Sequence, residues 1–312
     1  GREGAALQIG GSLAAGLGRL LRLDQRNTNT IIQCGMAGLF SALFGTPVAA
    51  VVFSLEVINV GHFHYAALFP CLLSALIAAG VPPLLGLPGE RYILSGAPDP
   101  TVLPLLQCGV LAVGAAVLSI LFCVLMHGAG RLYQKYLPNP YLRVLAGAGL
   151  VILLTLLEGS GDYNGAGGHI IELAVEGQVH VPWAFALKLL FTALTLGAGF
   201  KGGEIVPTLF IGSTFGCAAA PLLGLEPAFG AAIGMIALFC GVTNCPLASL
   251  FLAVELFGGG ALPFFALACA LAFLLSVRYS LYSSQHLVYS KLEAQLDEQY
   301  KKDREMEKEH IS

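Results

Sequence analysis

Apolar residues in this chain come in long blocks, and what separates the blocks is glycine, proline and single charges. The first block opens at Gly1-Arg2-Glu3-Gly4 and predicts a helix to about Leu21, with Arg19, Arg22, Asp24 and Arg26 marking a polar turn. Ile31 to Val57 is apolar but interrupted at Gly45-Thr46-Pro47. Proline stops a helix and favours the first turn of a new one, so two half-length helices are expected there. Tyr65 to Leu87 is long enough for a membrane span, and Gly89 to Pro104 reads as a polar, proline-rich loop. Val102 to Tyr136 exceeds the ~20 residues a span needs, so it is expected to be tilted or broken. Helices are further predicted over Leu142–Leu157, Val181–Leu196 and Ile205–Leu223, with loops at Glu158–Gly168 and Gly197–Gly203. Ala228–Cys240 and Pro246–Phe257 form a second broken pair, Leu262–Val277 a last clear span, and Leu281–Lys308 a helix that leaves the membrane.

The two broken pairs are copies of one another. Gly35-Met36-Ala37-Gly38-Leu39-Phe40 matches Gly234-Met235-Ile236-Ala237-Leu238-Phe239, and each copy has a proline twelve residues after its first glycine and an acid nine after the proline. Those acids are Glu56 and Glu255. The opening stretch also has a counterpart, with Gly1 to Ala5 and Gly10 aligning on Gly203 to Pro207 and Gly212. Matched blocks in the same order predict two structural halves. Interrupted hydrophobic segments repeated in this way point to a site at the interface of the halves. The expected organisation is a membrane transport domain over 1–290 and a charged helical cytoplasmic tail over 291–312. Within the domain, a partial first repeat covers 1–88, a second repeat covers 102–279, and a final helix starts at 281.

Composition agrees. Of 312 residues 56% are hydrophobic and 11% charged, with mean hydropathy +0.77. This excludes a soluble globular protein. The net charge of −3 says little, because Lys291 to Ser312 alone holds five of the 16 basic and seven of the 19 acidic residues. Ions in the body are correspondingly scarce and informative. The eight cysteines lie in apolar runs without a Cys-x-x-Cys pair and read as small apolar residues. The seven histidines, His169 and His286 included, show no ligand pattern. No metal, no cofactor and no nucleic-acid partner is expected, nor is an enzyme. The chain starts inside a motif, which suggests a fragment lacking its N-terminal part.

The candidate chemistry sits at two helix starts. Arg2 and Glu3 are flanked by Gly1 and Gly4, and a helix start offers unpaired N–H groups and a positive dipole end, which together suit an anion. The plain alternative is a solvated helix start with a stray ion pair. Gly203, Glu204 and Ile205 make the matching start in the second half. Two opposed terms act on Glu3: the helix start and Arg2 favour its ionised form, and burial favours its neutral form. A near balance would let it titrate during transport. Glu204 lies in an apolar break where an unpaired charge costs ~2.5–3.5 kcal/mol or more, so Lys201 or Lys188 is a possible partner. Glu56 and Glu255 suit pairing with backbone donors. Tyr282 and Tyr289 are candidate hydroxyl donors or, alternatively, interfacial belt residues.

These residues resemble the CLC family of chloride channels and anion/proton antiporters. The resemblance rests on Gly1-Arg2-Glu3-Gly4 with Gln8-Ile9-Gly10-Gly11, on Gly202-Gly203-Glu204-Ile205-Val206-Pro207 with Gly212-Ser213-Thr214-Phe215-Gly216, and on the proline-broken repeats ending in Glu56 and Glu255. It implies an all-α polytopic fold with an inverted repeat of broken half-helices, a homodimer and one ion pathway per subunit. It also implies that Glu3 is the gate and that Arg2 and Gly4 face the anion. Backbone N–H groups at Gly203, Glu204 and Ile205 would bind it, and the family's central tyrosine would be Tyr282 or Tyr289. Several positions depart from the pattern. The family's Gly-Ser-Gly-Ile-Pro loop is absent and would lie upstream of Gly1. Ala5 replaces a proline, Glu204-Ile205 replaces an apolar-Phe pair, and Val57 stands where many antiporters have an inner acid. Together these resemble the fluoride-exporting branch, although Val206 stands where that branch tends to have a hydroxyl. The resemblance thus implies an integral protein of a prokaryotic cytoplasmic membrane, moving fluoride or chloride in exchange for protons. The alternatives are a passive voltage-gated chloride channel, a carrier for a small organic anion clamped by Arg2 and Lys201, and a helical partner that transports nothing.

Overall fold

The computed structural model describes residues 3–61, 63–87, 91–94, 96–178, 181–276, 279–282 and 285–287. The chain within these residues is almost wholly helical. Helices α1 (Glu3–Leu20), α2 (Gln25–Phe44) and α3 (Pro47–Glu56) are followed by α4 (Leu68–Ala79), preceded by a 3-10 turn at Tyr65–Ala67, and by the short α5 (Val81–Leu84). Then come α6 (Val102–Tyr136), α7 (Pro140–Glu158), α8 (Gly168–Val175) and α9 (Ala184–Gly197). The last group is α10 (Ile205–Ala219), α11 (Pro227–Thr243), α12 (Pro246–Phe257) and α13 (Leu262–Leu275). The stretches Tyr65–Leu84, Val102–Tyr136, Pro140–Glu158 and Ile205–Leu223 are long and apolar enough to cross a membrane. The chain is an integral membrane protein.

Helix ends follow local chemistry. The Asp24 side chain accepts from the Asn27 N–H at 3.3 Å to start α2, and Asn139 accepts from the Tyr141 N–H at 3.0 Å to start α7. The two breaks have the same backbone. Gly45 (φ 69°, ψ 23°) leads into Thr46 (φ −120°, ψ 78°) and Pro47. Asn244 (φ 56°, ψ 32°) leads into Cys245 (φ −116°, ψ 76°) and Pro246. A left-handed residue closes one helix and proline opens the next.

The halves also pack alike. Gly10 of α1 meets Gly35 of α2 so closely that a Cβ on either would fall on the other's carbonyl, and Gly212 of α10 meets Gly234 of α11 in the same way. These are the glycines that the repeat aligns. Carboxylates join the halves. Glu56, at the end of α3, accepts from the Leu247 and Ala248 N–H groups at the start of α12 at 3.4 and 2.9 Å. Glu255, near the end of α12, accepts from the Val48 and Ala49 N–H groups at the start of α3 at 3.0 and 2.8 Å. Each acid thus satisfies orphan donors at the other half's helix start, and α3 and α12 run antiparallel. Between the halves Phe53 lies against Phe40 and Phe239, with ring centroids 5.0 and 6.0 Å apart. The deepest core is α11, buried from Ala228 to Thr243.

The structure narrows one expectation and departs from the sequence reading at two elements. The stretch Val102–Tyr136, expected to be tilted or broken, is one unbroken 35-residue helix, about 52 Å long at 1.5 Å per residue, which leaves tilt as the way to fit its length to a bilayer core. Helix α8 has no predicted counterpart; it is only eight residues long and is held by burial of Ile171, Ala174 and Val175. The final helix expected from 281 does not start there. Leu281 and Tyr282 are irregular, and His286–Leu287 pairs in parallel with Asn59–Val60 as a two-residue strand. The Leu281 N–H goes to the Val242 carbonyl at 2.9 Å and the Tyr282 N–H to Ser280 Oγ at 3.2 Å, so no helical ladder forms.

Candidate functional site

The two aligned helix starts meet at a cavity of about 890 Å³. Helix α1 contributes Ala5, Gln8, Ser12 and Ala15, which follow a three-to-four residue spacing and so share one face. Gln8 and Ser12 are exposed there on an otherwise apolar helix. Helices α2 and α3 add Met36 and Phe53, and Val57 follows directly after α3. The opposite wall is the loop between α9 and α10, with Gly199, Phe200, Lys201 and Gly202, then Glu204 and Ile205 at the start of α10. Gly199 has φ 99°, a conformation that favours glycine. Tyr282 closes the remaining side.

The structure therefore brings Glu204, Ile205 and Tyr282 together, next to the first turns of α1. Ile205 is 1% exposed, which leaves its backbone rather than its side chain as the polar group. Gly203 is buried behind the lining. Helix α1 begins at Glu3, but Arg2, the Glu3 side chain and the surroundings of Gly4 lie outside what is described, as do Tyr289 and the whole of the expected 291–312 tail. Tyr282 itself is not helical.

Tyr282 has a buried hydroxyl with no hydrogen-bond partner among the described residues. A buried hydroxyl left unpaired costs on the order of 1–3 kcal/mol, so its setting on a cavity wall is that of a donor held for something else. Lys188, weighed as a partner for Glu204, goes elsewhere. It is 1% exposed, donates to the Tyr163 and Gly165 carbonyls at 3.1 and 2.7 Å, and lies 4.9 Å from the centre of the Phe210 ring. The described residues contain no group of three or more metal-ligating side chains.

Sequence reasoning passes over Gln8 and Ser12, although two polar residues four apart on an apolar helix are a readable signal. It also passes over Gln285. That side chain donates to the Val57 and Thr243 carbonyls at 2.9 and 2.7 Å, and no local pattern marks it.

Known proteins share this architecture. A family model described as voltage gated chloride channel matches residues 1–277. The chloride/fluoride channel protein of Pseudomonas syringae pv. tomato is 36% identical over 310 residues, covering 96% of this chain and 67% of that protein. The H(+)/Cl(-) exchange transporter ClcA of Vibrio cholerae is 26% identical over 292 residues, covering 82% of this chain and 58% of that protein. The crystal structure of a CLC-type fluoride/proton antiporter superposes with a TM-score of 0.89 at 36% identity, over 92% of this chain and 72% of that one. This chain thus spans between 58% and 72% of the length of these three relatives.

Proposed function

The chain belongs to the voltage-gated chloride channel family, and from that premise we propose that it is a carrier rather than an enzyme, exchanging a small halide for protons. The observation that carries this reading is the unpartnered Tyr282 hydroxyl on a cavity where two repeat-related helix starts converge. Backbone N–H groups at Glu204 and Ile205, the dipole of α10 and the tyrosine hydroxyl supply donors for one desolvated anion. Arg2 and Gly4 belong to the same site on the α1 side, with Glu3 as the gating acid whose carboxylate competes with the anion.

Fluoride is preferred over chloride. It is small and strongly hydrated, so it needs several strong donors close by, and relatives named for fluoride at 36% identity support the choice. A homodimer with one pathway per subunit is part of the reading; apolar surface such as Phe69 of α4, 73% exposed, is available for it.

A second reading is a passive chloride channel, favoured by Val57. It lines the cavity without an ionisable group where an inner proton relay would be expected.

Flux from proteoliposomes under an imposed pH gradient separates the two. An exchanger moves fluoride uphill with protons in the opposite direction, and Glu3→Gln abolishes proton movement. Proton transport unchanged in Glu3→Gln would remove the gate assignment, and anion flux without proton movement in the parent would establish the channel.

A further inference from the structure

Tyr282 lies on a segment that has no helix to hold it. Its hydroxyl has no hydrogen-bond partner among the described residues, so the position of that hydroxyl is set by the backbone and by the packing of its ring against the core. What fixes the backbone is Gln285. Its Nε2 donates to the Val57 carbonyl at 2.9 Å and the Thr243 carbonyl at 2.7 Å. Its Oε1 accepts from Ser280 Oγ at 2.7 Å and Asn244 Nδ2 at 3.3 Å. A primary amide has two donor and two acceptor directions, and all four are used.

The partners are informative. Val57 caps the end of α3 in the first half, and Thr243 is the last residue of α11 in the second. Both carbonyls are of the kind that a helix end leaves without an intrahelical bond. One side chain therefore ties both halves to the tyrosine segment. Ser280 completes the link: its Oγ accepts the Tyr282 N–H at 3.2 Å while donating to Gln285. On the other side the Gln285 N–H returns to the Tyr282 carbonyl at 3.2 Å. Tyr282 is thus held at both its N–H and its C=O by one amide residue and its relay.

We propose that Gln285 is the positioning residue for the anion site, acting through Tyr282 by fixing where its hydroxyl stands between the two halves. The proposal rests on the reading of Tyr282 as an anion donor. A donor must be held to within about 0.5 Å of its productive place, and no hydrogen bond from the described residues holds the hydroxyl itself.

Equilibrium binding of fluoride and chloride to the purified chain tests it, by calorimetry on monodisperse protein with thermal unfolding recorded alongside. Tyr282→Phe and Gln285→Ala should each weaken fluoride binding about tenfold, and the double variant should bind no more weakly than Tyr282→Phe alone. Gln285→Glu sets an oxygen against two carbonyls at unchanged volume and should weaken binding like the alanine. Ser280→Ala removes only the relay and should lose affinity with little change in unfolding temperature. Parental affinity in Gln285→Ala, or losses that multiply in the double variant, would overturn the proposal while leaving the site intact. Parental affinity in Tyr282→Phe would instead remove the site reading, and the proposal with it. If Gln285→Ala gives no folded protein, Ser280→Ala decides: parental affinity there overturns the link to Tyr282.

Discussion

Glu56 and Glu255 hold the two halves at single-residue resolution, and their environments differ. Glu56 is 3% exposed, whereas Glu255 is half-buried. Hydrogen bonds to a charged group contribute about 1.5–3 kcal/mol each, and removing a buried charge returns part of that as relieved desolvation. Glu56→Ala should therefore lower stability by about 1–3 kcal/mol, more than Glu255→Ala does, as read from thermal unfolding in detergent. Glu56→Gln keeps the shape but turns an amide nitrogen toward one N–H donor, so it should fall between. Lys188 sets up a different outcome. Its ammonium holds the Tyr163 and Gly165 carbonyls, so Lys188→Met should free the loop before α8 and make it the first site of limited proteolysis; an unchanged cleavage pattern would mean that the loop is held by other contacts. The two acids were legible in the sequence because proline and glutamate are rare in apolar helices, so their repeated spacing stands out. Lys188 and Gln285 were not legible in these roles. Their partners are backbone carbonyls, which carry no residue identity, and the Gln285 bond to Val57 spans 228 positions.

At the scale of elements, glycine decides which helices touch. The α1–α2 and α10–α11 pairs approach at Gly10–Gly35 and Gly212–Gly234, where a side-chain carbon would meet backbone rather than a movable side chain. Overpacking against backbone costs about 1–3 kcal/mol or more. Gly234→Ala should then lower the unfolding temperature or abolish a monodisperse product. Gly149 of α7 is the control. It is helical and exposed, and a Cβ added there would meet nothing within 4 Å, so Gly149→Ala should be neutral or stabilise by up to about 1 kcal/mol. Equal destabilisation by both would mean that helix packing here does not depend on close backbone approach. The broken pairs were legible because Gly-Thr-Pro and Asn-Cys-Pro punctuate apolar runs. The irregular path at Leu281 and Tyr282 was not, since nothing in the local sequence shows that the Leu281 N–H is claimed by the Val242 carbonyl of α11.

At the scale of the molecule, the question is which surfaces meet water. The backbone from Phe200 to Gly203 is irregular, and irregular backbone at membrane depth is tolerated only where protein or a water-filled cavity covers it. Polar side chains at Gln8, Ser12, Lys201 and Glu204 gather on that cavity. The outer face of α1 is different in kind: Ile9, Leu13 and Leu17, at i, i+4 and i+8, are 53%, 69% and 46% exposed. Their counterpart in the second half, Ile211 for Ile9, is fully buried, so the repeat is one of backbone and not of surroundings. This contrast predicts a sharp difference between neighbours. A cysteine at Ser12 should react with a charged, water-soluble thiol reagent and be slowed by saturating fluoride, whereas a cysteine at Leu13 should resist it whether lipid or protein covers that face. Of the eight native cysteines seven are buried and Cys34 is half-buried, so background labelling of the parent is low and directly measurable. Equal reactivity at the two positions would mean that water reaches both faces of α1, and the cavity could not then be the confined path that proton-coupled exchange requires.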